Sequence, residues 1–313
     1  MKKLWPLLVA LSLFVFGCSN GGGTETAEAP AEESTETEAE ETASTSEDVT
    51  VSFAGSSTLA PVISDIGKAI TDEHETWNNL DGELPEENIT IYVSSGGSGA
   101  GAKAVIDGIA DFGMLAREVK PEEEEAIEDF QSVKIGLDAL TVSVNPDNPV
   151  LEIKDDLTTE ELQKIFSGEY QLWSDLDPSL AEEEIVVVTR DLSGGAHEVF
   201  QDNVMGDVDV REDAVQAPSM GSLTQNIIDN EYAIGYASAG LVNQYEGELT
   251  PIKVDGIEAS EENIISGEYF ISRPLMIVYS GELTNSAQAT LDAITGETGQ
   301  TIIGDMGFIP TVE

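Results

Sequence analysis

Val49-Thr50-Val51-Ser52-Phe53-Ala54-Gly55-Ser56-Ser57-Thr58-Leu59 holds three elements in eleven residues. The first six are β-branched, aromatic or small and read as a short strand. From Leu59 to residue 71, Val62, Ile63, Ile66, Ala69 and Ile70 recur at helical spacing. Between strand and helix stands Gly-Ser-Ser-Thr. A helix start exposes N–H groups without intrahelical acceptors and carries a partial positive charge. Glycine lets the backbone approach a bound group, and Ser or Thr adds a hydroxyl donor.

The pattern recurs twice. A strand over 89–93 leads into Ser94-Ser95-Gly96-Gly97-Ser98-Gly99-Ala100-Gly101 and a helix expected over 102–108. A run of β-branched residues, 185–189, leads into Arg190 and then Ser193-Gly194-Gly195, with a helix expected from about 196 to 204. Three such turns converging on one point make a cage for a small oxyanion. Arg190 supplies the side chain best shaped to grip a tetrahedral anion. Further strands (110–115, 135–144, 233–237, 275–279) alternate with helices (157–166, 222–229, 286–295), which gives an α/β architecture with open sheets. In such sheets ligands bind beyond the carboxyl ends of the strands. Two turns come early and one mid-chain, in what reads as a separate sheet. The expected molecule has two lobes, 49–140 with 241–313 and then 141–240, and a cleft between them that closes by a hinge.

Composition narrows the function. The 313 residues carry a net charge of −48, which excludes a general nucleic-acid binder. Lys2 and Lys3 precede an apolar run, 4–16, that ends at Gly17-Cys18. That run is short for a membrane span and suits the core of a signal peptide over 1–18. Cys18 is the sole cysteine, so no internal disulfide forms. Val15-Phe16-Gly17-Cys18 resembles a bacterial lipobox, in which the cysteine is lipidated and becomes the new N-terminus; the alternative is an ordinary secreted protein cleaved nearby. Acyl chains on Cys18 suffice for membrane anchoring on the extracytoplasmic face. Residues 19–48 are Glu, Thr, Ser, Ala and Gly with almost no large apolar side chains, and read as a disordered acidic tether. From Val49 onward eleven basic and 51 acidic residues remain, a net −40. Such a surface keeps a protein soluble and monomeric, and fits a salty or alkaline habitat.

Several pieces in order carry a resemblance. They are Gly55-Ser56-Ser57-Thr58-Leu59-Ala60-Pro61, Gly97-Ser98-Gly99-Ala100-Gly101, Ala110-Asp111-Phe112-Gly113-Met114 and Ile165-Phe166-Ser167-Gly168. Trp173-Ser174-Asp175-Leu176, Ala233-Ile234-Gly235-Tyr236, Ile271-Ser272-Arg273-Pro274-Leu275 and Gly307-Phe308-Ile309-Pro310 continue it. Together they resemble the phosphate-binding proteins of bacterial ABC phosphate importers, which have a type II periplasmic-binding-protein fold. The resemblance implies a non-enzymatic receptor that binds inorganic phosphate and delivers it to permease and ATPase subunits, with no cofactor. It implies ligand contacts from Ser57, Thr58 and the amide of Leu59, from Ser98, and from Arg190 with Ser193, Gly194 and Gly195. The family usually reads Arg-x-x-Gly-Ser-Gly-Thr at the third turn, whereas this chain has Ser193-Gly194-Gly195-Ala196. Some members carry an aspartate after the Asp-Phe-Gly strand that accepts the proton of hydrogen phosphate. Here Ala116-Arg117 stands there, which makes Arg117 either a second cationic grip or a structural pair, and leaves Asp191 and Glu118 as candidate acceptors. Arg273 is expected to serve the fold or hinge. Binding or sensing of another tetrahedral oxyanion (sulfate, molybdate, arsenate) on the same fold is the second reading.

Other chemistries fit less well. No Ser or Thr follows Lys103 as a P-loop requires. Gly96-Gly97-Ser98-Gly99-Ala100 lacks the last glycine of a nucleophile elbow. His74 and His197 are the only histidines, and no metal-ligand spacing appears. The run Pro121-Glu122-Glu123-Glu124-Glu125 reads as the first turn of a helix rather than a calcium loop.

Overall fold

The computed structural model of the protein describes residues 49–192 and 194–311. The segments 1–18 and 19–48, and with them Cys18, lie outside the described residues, as does Ser193. The chain begins β1 (Thr50–Gly55), α1 (Leu59–His74), α2 (Trp77–Leu80), β2 (Thr90–Ser95), α3 (Ser98–Ile106), β3 (Phe112–Leu115) and α4 (Pro121–Ala126). It continues with β4 (Phe130–Val144), β5 (Asp156–Leu157), α5 (Thr159–Ser167), α6 (Trp173–Leu176), β6 (Val186–Arg190), α7 (Gly195–Phe200), β7 (Val215–Ala217) and α8 (Met220–Ile228). Then come β8 (Ala233–Ser238), α9 (Ala239–Gln244), β9 (Thr250–Pro251), β10 (Lys253–Val254), α10 (Glu261–Ser266), β11 (Ser272–Ser280), α11 (Asn285–Thr295), α12 (Glu297–Asp305) and β12 (Ile309–Pro310). Among the described residues no helix is long and apolar enough to cross a membrane.

The strands lie in the order β2-β1-β3-β11-β4-β8-β6-β7. β4 belongs to both halves of this path. Its first ten residues pair antiparallel with β11, ending at Ala139↔Ser272. Its last five pair antiparallel with β8, beginning at Leu140↔Ser238. Two hydrophobic cores flank this strand. One gathers Phe53, Leu59, Ile63, Ile66, Trp77, Phe112, Leu275, Ile277, Leu291 and Ile303. The other gathers Leu140, Val142, Leu162, Phe166, Trp173, Phe200, Leu223, Tyr236 and Ile264. The fold is therefore mixed α/β with two lobes, joined where the chain crosses at Ala139/Leu140 and again at Ile271/Ser272.

The second crossing corrects the expected return after residue 240. Leu249, Ile252, Val254, Ile264, Tyr269 and Ile271 all pack into the second core. Residues 241–271 form only short pieces, so no long periodic run marks their lobe. A second correction concerns α3, which starts at Ser98 rather than near 102. Its first turn holds Gly99 and Gly101, poor helix formers in isolation. A Cβ on Gly101 would stand 2.8 Å from the carbonyl oxygens of Ala54 and Met114, and one on Gly113 would stand 2.7 Å from that of Gly101. These glycines let α3 start directly against the ends of β1 and β3.

The two lobes repeat one local scheme. After α1, Trp77 is fully buried and its amide bonds to Glu87 O; after α5, Trp173 is fully buried and its amide bonds to Glu183 O. Each tryptophan anchors the turn that feeds a strand, β2 or β6, and each strand feeds a cleft helix, α3 or α7. The starts of α3 and α7 are thus corresponding points of the two lobes.

Candidate functional site

Residues 55–59 bring β1 to an end and turn into α1. The Ser56 amide bonds to Met114 O at 2.7 Å, which ties the turn to the end of β3. Ser56 Oγ accepts from the amides of Thr58 (3.2 Å) and Leu59 (3.4 Å). Ser57 Oγ accepts from Arg190 Nη1 at 3.0 Å and from the Met220 amide, in the first turn of α8, at 3.2 Å. Thr58 Oγ1 accepts from Arg273 Nη2 at 3.0 Å. Ser98 Oγ, in the first turn of α3, accepts from the Ala116 amide at 3.1 Å.

These bonds share a direction. A hydroxyl has one proton and two lone pairs. The partners of Ser57, Thr58 and Ser98 are all N–H groups that can only donate. Each oxygen is held by a lone pair, and its proton is left to be donated elsewhere. Three buried or half-buried hydroxyls are therefore left with a proton to donate.

Arg190 ends β6 and is 3 % exposed. Its Nε donates to Ala217 O (3.1 Å) and its Nη2 to Pro218 O (3.2 Å). Asp191 Oδ1 stands 3.4 Å from Nη2. Burial pulls the Arg190 pKa down, yet an arginine keeps its charge in proteins. The strand behind it is fixed by Tyr236, whose hydroxyl accepts from the Arg190 amide at 3.0 Å and bonds Thr189 Oγ1 at 2.7 Å. Burial pushes the Tyr236 phenol up to about 12, so it stays a neutral partner.

Gly194 and Gly195 serve close approach. A Cβ on Gly194 would lie 2.7 Å from Arg190 Nη2, and one on Gly195 2.4 Å from Ser98 Oγ. Only glycine lets the start of α7 cover the guanidinium and meet the start of α3 across the cleft. Ser57, Thr58, Leu59, Ser98, Arg190, Gly194 and Gly195 are thus neighbours in space.

Arg117 stands beside this group but is bound elsewhere. Its Nη1 and Nη2 donate to Glu123 Oε2 and Oε1 (2.8 and 2.7 Å), and Nη1 also to Glu118 O. Its Nε lies 2.8 Å from Glu198 Oε2, in α7 of the other lobe, in an ion contact not aligned as a hydrogen bond. Lys120 Nζ reaches Glu198 Oε1 at 3.1 Å. The structural pair, one of the two roles the sequence left open, is formed. Burial works against both members, but the carboxylates hold the Arg117 pKa up and the guanidinium holds Glu123 below the usual carboxylate range.

Sequence reasoning missed Asp138, Ser238, Glu198 and the Met220 amide. Asp138 Oδ2 accepts from Arg273 Nε (3.0 Å) and Nη2 (2.7 Å), and its Oδ1 from Ser238 Oγ (2.9 Å). One signal was available: Asp138 is the only charge in the apolar run 135–144, and a buried charge requires a partner. Three of the chain's four arginines, 117, 190 and 273, are at most 4 % exposed and lie at this cleft. Each is paired with a carboxylate (Glu123 and Glu198, Asp191, Asp138), so the cleft concentrates guanidinium donors rather than a net positive charge.

The chain matches the PBP superfamily domain over residues 34–292. It is 28 % identical over 295 residues to the phosphate-binding protein PstS of Staphylococcus saprophyticus, covering 90 % of this chain and 81 % of the relative. It is 28 % identical over 232 residues to the protein of that name from Staphylococcus haemolyticus, covering 71 % and 68 %. Among solved structures, a putative phosphate ABC transporter substrate-binding protein with bound phosphate from Clostridium perfringens superposes with a TM-score of 0.72 at 29 % identity, covering 84 % of this chain and 99 % of that one. An ABC-type phosphate transport receptor from Vibrio cholerae shares the fold, with a TM-score of 0.64 at 24 % identity over 83 % and 99 %. With the match extending over most of its length and the cleft lying between two lobes, the chain belongs to the PBP superfamily, in its type II form.

Proposed function

We propose that this protein captures inorganic phosphate outside the cytoplasm and delivers it to the permease and ATPase subunits of an ABC importer. The observation that carries the reading is the convergence of the Ser57, Thr58 and Ser98 hydroxyls with Arg190, every hydroxyl held so that its proton is free to donate. A tetrahedral oxyanion with several acceptor oxygens uses such donors at once. Charge-assisted bonds of this kind contribute on the order of 1.5–3 kcal/mol each. The relatives' names, phosphate-binding protein and phosphate ABC transporter substrate-binding protein, support this ligand and this partner. They are names of binding and transport, and no catalysis is proposed. Ser193 joins the ligand group by its place in the third turn, and lipidation at Cys18 holds the monomeric receptor at the cell membrane by the tether 19–48.

Calorimetric titration of the domain from Val49 to Glu313 with phosphate, sulfate, molybdate and arsenate tests the reading. Tight binding of phosphate above the rest supports it, and no heat with phosphate rejects it. A second reading, another tetrahedral oxyanion, draws on Ala116, whose side chain cannot accept the proton of hydrogen phosphate. Asp191, beside Arg190, is the better placed of the two candidate acceptors. Equal affinity for sulfate and phosphate at neutral pH would assign it no such role.

A further inference from the structure

Asp138 and Arg273 form an ion pair that the fold alone does not require. They face each other in the register of β4 and β11 and are 1 % and 2 % exposed. Burying two charges carries a desolvation cost that a well-packed apolar pair avoids, so such a pair is weak evidence for stability. Its geometry points to another use. Arg273 Nη2 is shared between Asp138 Oδ2 and Thr58 Oγ1, while Nη1 reaches Ala116 O at 3.4 Å. Ala116 is also the residue whose amide holds Ser98 Oγ. On the other side, Asp138 Oδ1 accepts from Ser238, the last residue of β8. A buried line of bonds therefore runs Ser238–Asp138–Arg273–Thr58. It starts in the second lobe, passes through both crossing strands and ends on a ligand turn of the first.

Because a guanidinium only donates, it occupies a lone pair of Thr58 Oγ1 and leaves the threonine proton to face the ligand. Thr58 is the N-cap of α1 yet caps nothing, so no local bond competes for this orientation. We propose that Asp138 and Arg273 are positioning residues for the anion: they aim the Thr58 hydroxyl, and Ser238 makes that aim depend on the second lobe's β8. The proposal rests on the phosphate reading above. It assigns Arg273 no ligand contact; it acts through Thr58.

A double-mutant cycle on phosphate affinity separates this from a merely structural role, using the wild type, T58V, R273K and the double variant. Lysine keeps the charge and loses the fork that joins Asp138 to Thr58. Expected is a weakening by R273K of about 30-fold in the wild type and under about threefold in T58V, because the hydroxyl it aims is gone. The same fold-weakening in both backgrounds would overturn the proposal. Ser238→Ala, which removes one neutral hydroxyl, gives a second cycle if R273K does not fold. Its expected loss is about fivefold in the wild type and none in T58V, and additivity there overturns the proposal equally. A wild type that ignores phosphate would instead remove the functional reading on which the cycle stands.

Discussion

Thr58 and Thr158 hold the same post, the residue before a helix, and do different things. Thr158 precedes Glu161 by three, and the two form a reciprocal box: Thr158 Oγ1 accepts from the Glu161 amide and Glu161 Oε2 from the Thr158 amide. The start of α5 satisfies itself. Thr58 precedes Pro61 by three, and proline offers no carboxylate to reach back. Its hydroxyl turns to Arg273 instead of capping α1, and the first amides are met by Ser56 Oγ. The starts of α3 and α7 lack side-chain caps, whereas α10 and α11 are capped by Ser260 and Thr284. Ser, Thr and Gly at a helix start are therefore ambiguous by themselves. At Thr58 and Thr158 the difference is whether the threonine hydroxyl caps its own helix or is held by a distant donor.

The sharpest way to break this contrast is at Arg190, the cation that the starts of α1 and α7 approach. Arg190→Ala removes the charge and the bond to Ser57, and phosphate affinity is expected to fall by about a thousandfold or more, read by calorimetry. A loss below tenfold would mean that the starts bind the anion without it. Gly195→Ala comes next. Its Cβ would stand 2.4 Å from Ser98 Oγ, so α7 and α3 cannot meet, and affinity should drop by about a hundredfold. Gly221→Ala, in the first turn of α8 with open space around it, is the control and should leave affinity unchanged.

The threonines themselves test the comparison directly. Thr158→Ala should lower stability by about 1 kcal/mol, the usual cost of losing an N-cap, and leave phosphate affinity alone. Thr58→Val should do the reverse, weakening phosphate by about tenfold to a hundredfold with little change in the melting midpoint. If both variants lost stability and neither lost affinity, Thr58 would be an ordinary structural residue.

Much of this difference was legible in the residues. The strand–turn–helix alternation and the position of Arg190 after a β-branched run give the α/β class and one side of the cleft. The Thr-x-x-Glu box at 158–161 is readable as a closed cap. What could not be read is which distant groups meet. Arg117 and Glu123 are six residues apart and can be paired by eye, but Arg117 and Glu198 lie in different lobes. Asp138 and Arg273 find each other only through the register of β4 and β11. The extent of the second lobe was hidden because 241–271 fold as short pieces whose side is decided by packing, not by periodicity. Glycine was ambiguous too. In the second turn it reads as loop, yet Gly99 and Gly101 are helical because their missing side chains let two backbones touch.

The Arg117–Glu123 pair gives a pH dependence. Glu123 is held below the usual carboxylate range, so its contribution to stability is complete above the ordinary carboxylate pKa and is lost as pH falls through the lowered value. Glu123→Gln should flatten that acid limb of the unfolding curve. Glu198→Gln removes the partner of Arg117 and Lys120 across the cleft, and should raise the phosphate off-rate by about three- to tenfold. An unchanged off-rate would leave Glu198 a surface charge.

The smallest expected effect concerns the rest of the molecule. From Val49 onward the chain carries a net −40, and that field repels the anion the cleft is built to hold. The two act at different ranges. Donors at contact distance are nearly insensitive to ionic strength, while surface charges are screened beyond ~10 Å at 0.1 M salt and ~3 Å at 1 M. Added salt should therefore raise the phosphate on-rate by about two- to fivefold and leave the off-rate nearly constant, the opposite of a receptor steered by a basic surface. Stopped-flow binding across that range decides it. A falling on-rate would mean that the buried arginines project a positive field through the cleft mouth, and that the cleft is sensed by the ligand before contact.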